Sequence, residues 1–260
     1  MTNTSRLWKV LAALMVVSFG ILLYFGREIY IAAPPIPAAV KTTTGETLYT
    51  REQYDMGREV WQRVGGHQMG SIWGHGSYVA PDWSADWLHR EATALLELWA
   101  QRDSGKAYAD LDAVQQAGLQ ARLQQTMREN TYDPATGVIT VDEDRAQAIR
   151  QVNDHYMRLF GPDMELNTLR AQYAIQQNPI PDVEQRQAMM AFFFWTSWSA
   201  STNRPDNTIT YTSNWPSEPL VGNVPTTSTY LWTFISIFGL LAGVGALAWY
   251  YVATHGQEAA

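Results

Sequence analysis

The sequence contains no cysteine, and this absence excludes several kinds of site. Without thiols the chain has no disulfides, no thiolate zinc site, no cysteine-held iron–sulfur cluster and no haem attached through a C-x-x-C-H motif. Charged residues make up only 17% of the 260 residues, and the net charge of -7 gives no support for nucleic-acid binding, which needs clustered Lys and Arg. The length allows one ordinary domain, or a medium domain with membrane anchors.

Motifs that carry catalysis are also absent. The sequence has no G-x-S-x-G, no phosphate-binding G-x-x-x-x-G-K and no G-x-G-x-x-G after a strand. His67, His75 and His89 share one window but match no compact ligand pattern such as H-E-x-x-H. We therefore favour hydrogen-bonded structural histidines over a metal site, and a free-standing hydrolase has no support.

A long apolar run lies near the amino terminus. Residues 10–26 include no charged side chain, and the run approaches the roughly 20 residues with which a helix crosses about 30 Å of hydrocarbon. A cleaved signal peptide is the alternative interpretation. Against cleavage, the run is long for such a peptide, and Tyr24, Phe25 and Tyr30 resemble an interfacial aromatic belt.

A second apolar run covers residues 230–252 and carries aromatic side chains at both ends. Its Gly239 and Gly243 form a G-x-x-x-G pair. Such a pair lets two membrane helices pack closely, but Gly is also common in membrane helices that have no such contact. Because Arg6 and Lys9 precede the first run, the positive-inside rule predicts cytoplasmic termini and an external middle segment. The expected parts are an anchor helix at 1–30, an outside domain at 31–228, a second membrane helix at 229–253 and a cytoplasmic tail at 254–260.

Capping residues and apolar spacing predict that the outside domain is mostly helical. A stiff proline-rich connector at 34–37 precedes it. Thr50 is expected to cap the first helix, and Pro181 to occupy the first turn of the last. Val138–Val141 is expected to form one arm of a small hairpin after a turn at 133–137. The predicted helices cover residues 50–64, 84–102, 112–129, 142–160, 163–177 and 181–201.

Residues 60–91 form the first of two unusual windows, rich in Trp and Gly. Glycines let a backbone run close to a flat or bulky group, because no Cβ intervenes. Asp82, Asp86 and Glu91 supply hard oxygen donors that, with Tyr78, could help to hold Ca²⁺. The window lacks the D-x-D-x-D-G pattern, so it does not predict a self-contained calcium loop.

The second unusual window covers residues 191–223. Phe192–Trp198 is apolar nearly all round a helix, which predicts either an inner helix of the domain or a contact with another chain. An irregular tail at 203–227 follows and directly precedes the second apolar run. We therefore expect Tyr211 and Trp215 to lie at the outer membrane surface.

Long motifs in these two windows resemble the amino-terminal portion of quinol-dependent nitric oxide reductases, which are relatives of the haem-copper oxidases. The resemblance covers essentially the whole chain, including both apolar runs. It implies a mainly α membrane protein of the bacterial inner (cytoplasmic) membrane, with a cytochrome c-like periplasmic domain that lacks haem. Residues 66–70 then fall where C-x-x-C-H would be expected. The motifs are residues 73–83, 86–91, 192–195, 201–205 and 209–223.

The resemblance also implies the reaction: two NO, two electrons from quinol and two protons give N₂O and water. It places haem b, haem b₃ and a non-haem iron in a membrane partner, which quinol would reduce. No catalytic residue and no covalently bound cofactor are expected in this chain. Tyr78 matches the tyrosine near the partner's haem propionates, where Ca²⁺ sits between subunits. Asp206 replaces the Gly expected after Arg204–Pro205, which alters one turn. If the sequence is complete, we expect a separate small subunit or a split form of the fused chain.

A two-span membrane sensor, with an extracytoplasmic domain that binds a small ligand, is the alternative from a different class. The predicted topology fits such a protein. The short segment 254–260 would leave it no cytoplasmic output domain, and this argues against it.

Overall fold

The computed structural model describes residues 4–74, 76 and 79–255, and a long helix lies at each end of this range. Helix α1 covers Thr4–Ile31 and helix α8 covers Thr227–His255. Both are long and apolar enough to cross a membrane, and none of their apolar windows is buried inside the protein. Core helices of soluble proteins are buried, so this exposure fits membrane helices instead. The predicted fold class, a mainly α membrane protein with a helical domain between two apolar helices, is confirmed.

Most of the predicted domain helices are present within a few residues. Thr50 and Asp112 each form a capping box, in which the side chain accepts from the N3 backbone and a Gln side chain returns the bond. The side chains of Asp82, Asp142 and Asp182 cap three further helices. The helices are α2 (Arg51–Arg63), α3 (Trp83–Ser104), α4 (Ala113–Arg128), α5 (Glu143–Leu159), α6 (Asn167–Gln172) and α7 (Val183–Ser201).

The predicted helix at 163–177 is wrong over much of its length. A single 3-10 turn, Met164–Leu166, leads into α6, which ends at Gln172. Ala174 then takes a positive φ of 53°, and the chain turns back. The buried guanidinium of Arg170 donates to the backbone oxygens of residues 158, 159, 161 and 163, and so fixes this compact reversal. Pro181 also lies outside the first turn, because Asp182 is the N-cap of α7 and the helix begins at Val183.

A small sheet lies beside the helices, with strand order β2-β1-β4-β3. The expected hairpin joins β3 (Tyr132–Asp133) to β4 (Val138–Val141). The sequence interpretation missed β1 (Ala39–Thr42) and β2 (Thr47–Thr50), which form a second hairpin. Strands β1 and β4 pair in parallel and join the two hairpins.

Helix α7 lies at the centre of the domain, and every residue from Ala188 to Thr202 is buried. The inner-helix interpretation of this segment is therefore correct. Helix α2 crosses α7 closely at Gly57, where an added Cβ would lie 2.0 Å from the carbonyl oxygen of Ala188. Aromatic rings fill the space between α3, α5 and α7: Trp83 stacks on Phe193 at 5.6 Å between ring centroids, and Trp87 stacks on Tyr156 at 5.4 Å.

Candidate docking loop

The candidate site is the segment of residues 70–82, here called the glycine loop, which contains the predicted site residue Tyr78. Tyr78 itself lies outside the described residues, as do His75 and Ser77. The structure therefore describes the two flanks of the loop, Gly70–Gly74 with Gly76 and Val79–Asp82. These flanks show how the loop is held on the domain.

The carboxylate of Asp82 binds both flanks of the glycine loop. Its Oδ2 accepts from the Ser71 hydroxyl at 2.6 Å and from the Gly74 backbone N–H at 2.6 Å. Its Oδ1 accepts from the Ser84 hydroxyl and from the Ala85 backbone N–H, which caps α3. One buried side chain thus joins the loop to the start of a core helix.

The backbone of the loop runs close to Trp83, as the glycine content predicts. Gly70 has a φ of +135°, and a Cβ built on it would lie 2.3 Å from the indole nitrogen of Trp83. That nitrogen donates to the backbone oxygen of Met69 at 3.1 Å. Gly76 also has a positive φ, and its N–H donates to the Ser71 hydroxyl at 2.7 Å. Non-glycine residues would be strained at both positions.

Two tryptophans fasten the loop to other parts of the chain. The indole N–H of Trp73 donates to the backbone oxygen of Thr196 in α7 at 2.8 Å. The indole N–H of Trp215, in the tail before α8, donates to the backbone oxygen of Gly74 at 3.2 Å. The loop is therefore connected both to the innermost helix and to the segment that leads into the second apolar helix.

The glycine loop lies near the end of α1. A cavity of about 580 Å³ is lined by Phe25 and Ile29 of α1, and by Trp73, Tyr211 and Trp215 of the domain. The two aromatic residues that were expected at the membrane surface, Tyr211 and Trp215, thus lie beside the point where the first apolar helix meets the domain.

The structure does not bring the other predicted oxygen donors together. Asp86 accepts from Arg90 at 2.8 Å and from the hydroxyl of Tyr156. Glu91 is fully buried and accepts from Arg145 at 2.7 Å and from the indole of Trp87 at 2.9 Å. Each carboxylate is thus committed to partners inside the domain. In the described part of the chain, no three His, Asp or Glu side chains are placed to hold a metal.

The two described histidines of the window make structural contacts. His89 Nδ1 shares a 2.8 Å hydrogen bond with Glu218, and His67 packs edge-on against Trp61 at 5.1 Å. A fourth histidine, His155, lies beside Tyr156, and burial lowers its pKa to about 4. Burial and the nearby Asp86 raise the pKa of Tyr156 well above its usual value, so the tyrosine stays protonated. These shifts move both His155 and Tyr156 away from proton transfer near neutral pH.

Sequence reasoning missed the roles of Ser71, Ser84 and Arg145. Asp82 does carry a signal, since an Asp directly before a helical apolar pattern is a typical N-cap. No local pattern connects Ser71 with Asp82, eleven residues apart, or Arg145 with Glu91, fifty-four residues apart. Such contacts depend on the tertiary fold.

A family model for the NorB cytochrome c-like domain of nitric oxide reductase matches residues 37–217, more than half of the chain. The matched range contains the sheet, helices α2–α7 and the whole glycine loop, and it excludes α1 and α8. A search of curated proteins finds no match to this chain.

Proposed function

The chain belongs to the NorB cytochrome c-like domain family of nitric oxide reductases, and from this premise we propose that it supports the haem-b catalytic partner of a quinol-dependent enzyme. In the proposed reaction two NO, two electrons and two protons give N₂O and water. The reacting irons, haem b₃ and non-haem iron, belong to the partner. This chain supplies the surface on which that partner is seated.

The domain's own residues favour support over electron relay. Covalent haem attachment needs the thiols of a C-x-x-C-H motif, and the chain has no cysteine. The interior between α3, α5 and α7 is packed with rings whose centroids lie 5.4–5.6 Å apart. We therefore propose that quinol in the membrane delivers electrons directly to the partner's haem, without passing through this domain.

The glycine loop is the proposed contact with the partner. It lies beside the end of α1, on the side of the domain that faces the membrane helices. Asp82, Trp73 and Trp215 hold its flanks, and Val79, the residue after Tyr78, is 52% exposed. Fixed flanks with an exposed residue at the edge suit a loop that must hold a tyrosine in one place. We propose that the Tyr78 hydroxyl lies near the partner's haem propionates.

A calcium ion at this interface fits only as a shared site. Ca²⁺ takes six to eight oxygen ligands, several of them usually carboxylates. Asp82, the carboxylate of the glycine loop, already accepts four hydrogen bonds within the domain. Tyr78 would therefore contribute a neutral oxygen, while the partner would supply the negative charge. When bound, the ion would offset the clustered carboxylates of the propionates.

We further propose that the domain is periplasmic and that both termini are cytoplasmic. Arg6 and Lys9 precede the apolar stretch of α1, and this bias supports a cytoplasmic amino terminus. Two membrane helices would then return the chain to the same side.

Purification of the tagged full chain from its native membrane tests the proposal. We expect a many-span haem-b polypeptide to co-purify, and the complex to consume NO with a reduced quinone but not with reduced cytochrome c. Recovery of the chain as a lone homodimer would instead favour the membrane sensor. The single observation that carries the proposal is the family match over residues 37–217.

Tyr78→Phe tests the role of the loop within that complex. Tyr108→Phe is the matched control, because Tyr108 lies in a separate 3-10 turn packed against α3. Calcium content per complex and partner recovery should fall for Tyr78→Phe and stay normal for Tyr108→Phe. Equal calcium and equal recovery in both variants would contradict the proposed role of Tyr78.

A further inference from the structure

An open groove of about 1090 Å³ lies where α1 meets the domain. Its lining includes Ile31 at the end of α1, Pro35 of the connector, and two arginines, Arg128 and Arg204. Neither arginine belongs to the glycine loop.

The groove continues into the 580 Å³ cavity beside the glycine loop, since both include Ala33, Arg204 and Tyr211 in their linings. The smaller cavity runs along α1 past Ile29 and Phe25. A polar groove with two arginines is thus joined to a mainly apolar channel beside a membrane helix. This combination has the shape of a site for an amphiphile.

Arg204 has unused capacity to bind an anion. Its Nη2 donates to the backbone oxygen of Tyr211 at 2.9 Å and to the Ser213 hydroxyl at 3.3 Å, while its Nε is buried without a partner. Among the described residues, no carboxylate oxygen lies within ion-pair distance of this guanidinium. Half-buried charges without a counter-ion are costly, so an anion in the groove would be stabilising.

Arg128 adds a second charge whose described partners are all neutral. Burial lowers its pKa, which shows that the surroundings do not compensate the positive charge. An anion nearby would offset the positive charge of the Arg128 guanidinium. Its guanidinium donates to the backbone oxygens of Thr208, Val221 and Gly222 and to the side-chain oxygens of Asn214 and Asn223.

Two carboxylates, Glu129 and Asp206, also line the groove, and Glu28 lines the channel. All three are exposed, Glu28 is paired with Arg27, and none forms an ion pair with Arg128 or Arg204 within the described structure. Water and salt screen exposed charges much more than half-buried ones. The uncompensated charge in the interior of the groove is therefore positive.

The position of the groove along α1 favours one source for the anion, because the uncharged stretch of this helix is the part suited to the hydrocarbon core. The uncharged stretch of α1 ends at Gly26, and the helix continues to Ile31, which is about 7 Å farther along its axis. That is the level of the polar headgroups that cover the hydrocarbon core. We propose that this groove and channel bind one glycerophospholipid, with its phosphodiester at Arg204 and an acyl chain along Ile29 and Phe25.

This proposal does not depend on the nitric oxide reductase assignment, because it uses only the membrane helix and the groove. A neutral quinol could occupy the apolar channel, but it would leave both guanidinium charges without a counter-ion. Free phosphate would satisfy the guanidinium charges but would gain nothing from the channel. The test must separate these three ligands.

The experiment is native mass spectrometry of the full chain in mild detergent, with its partner where one co-purifies, after delipidation. Phosphatidylglycerol, glycerol 3-phosphate and a short-chain quinol are added separately. We expect one phosphatidylglycerol per chain, and about tenfold weaker binding for Arg204→Gln, the size expected for one lost charge-assisted hydrogen bond. Arg150→Gln is the control, because Arg150 is exposed and paired with Glu46 away from the groove.

Ile29→Trp provides a second variant that cannot disturb the domain core, since Ile29 is 71% exposed on α1. The indole should fill the channel and weaken phosphatidylglycerol binding without affecting glycerol 3-phosphate. Equal lipid binding by Arg204→Gln, Ile29→Trp and Arg150→Gln would overturn the proposal. Glycerol 3-phosphate binding as tightly as the lipid, or retention of the quinol in place of the lipid, would overturn it as well.

Discussion

Asp82→Asn tests whether one carboxylate holds the glycine loop on the domain. The substitution keeps the size and shape of the side chain but replaces one acceptor oxygen by an NH₂ group. On the Oδ1 side, the cap of α3 is retained, because the amide oxygen still accepts from Ala85 and Ser84. On the Oδ2 side, an NH₂ group now faces two donors, the Ser71 hydroxyl and the Gly74 backbone N–H.

The expected loss of stability follows from those two contacts. Hydrogen bonds to a charged group contribute about 1.5–3 kcal/mol each, so the loss of two amounts to about 3 kcal/mol at the lower limit. The Ser71 oxygen accepts from the Gly76 N–H and has a second lone pair for the new NH₂ group, but the Ser71 O–H then loses the acceptor that Asp82 provides. For a domain of this size, about 3 kcal/mol lowers the melting temperature by about 6–12 °C.

The assay is thermal unfolding of the full chain in detergent, followed by tryptophan fluorescence. Asp110→Asn is the matched control, because Asp110 is exposed in a 3-10 turn, and we expect it to melt like the wild type. Partner recovery should fall for Asp82→Asn at temperatures where the domain is still folded. If Asp82→Asn melts within a degree of the control, Asp82 does not hold the loop, and the reasoning fails.

Three further predictions concern other buried contacts. Gly70→Ala should lower the melting temperature, since the new methyl would lie 2.3 Å from the Trp83 indole nitrogen at a φ of +135°; an unchanged melting curve would show that the loop can move aside. Glu91→Ala should lower the free energy of unfolding by about 3–5 kcal/mol in urea titrations, because it leaves the charge of Arg145 buried and unpaired. The double variant Glu91→Met with Arg145→Met should recover much of this loss, because it removes both charges. Burial lowers the pKa of His155 to about 4, so the unfolded chain binds a proton at higher pH than the folded chain, and stability should fall as the pH drops from about 6.5 towards 4. His155→Gln should therefore make the melting temperature depend less steeply on pH in this range. An equally steep dependence in both proteins would contradict the lowered pKa of His155.

Helix starts were predictable because they depend on neighbouring residues. Thr50 and Asp112 precede Gln residues at N3, and the structure contains both capping boxes. The same reasoning failed at 163–177, where apolar spacing favoured a helix. There the chain forms only a 3-10 turn and the short α6 before it turns at Ala174. The Arg170 side chain binds backbone oxygens of residues 158, 159, 161 and 163, contacts that a periodic pattern does not contain.

Strands β1 and β2 were missed for a similar reason. Each has only four residues, and β1 obtains its parallel partner, β4, from a segment about a hundred residues later. Short strands carry little periodicity, and the sequence interpretation did not use the one local signal present, the turn at Gly45 that joins β1 to β2. The β3–β4 hairpin had such a turn at Asp133–Gly137 and was predicted.

At the candidate site, the sequence indicated a window of oxygen donors but not how its carboxylates differ in their partners. Asp82, Asp86 and Glu91 looked alike as oxygen donors. In the fold, Asp82 binds the loop, Asp86 binds Arg90 and Tyr156, and Glu91 neutralises Arg145. Residue type limits what a side chain can bind, and only tertiary neighbours decide which of those partners it meets.

The connections of the glycine loop indicate why this family would keep a cytochrome c-like domain that has no cysteine. Through Trp73 the loop is bonded to α7, the most buried helix, and through Trp215 it is bonded to the tail that enters α8. The flanks of the loop are therefore held jointly by the buried core and by the segment that enters the second apolar helix. A partner that binds this loop would meet flanks of fixed position, which a free surface loop would not provide. The folded core would then act through its rigidity, and substitutions that loosen α7 without touching the loop should weaken partner binding as well.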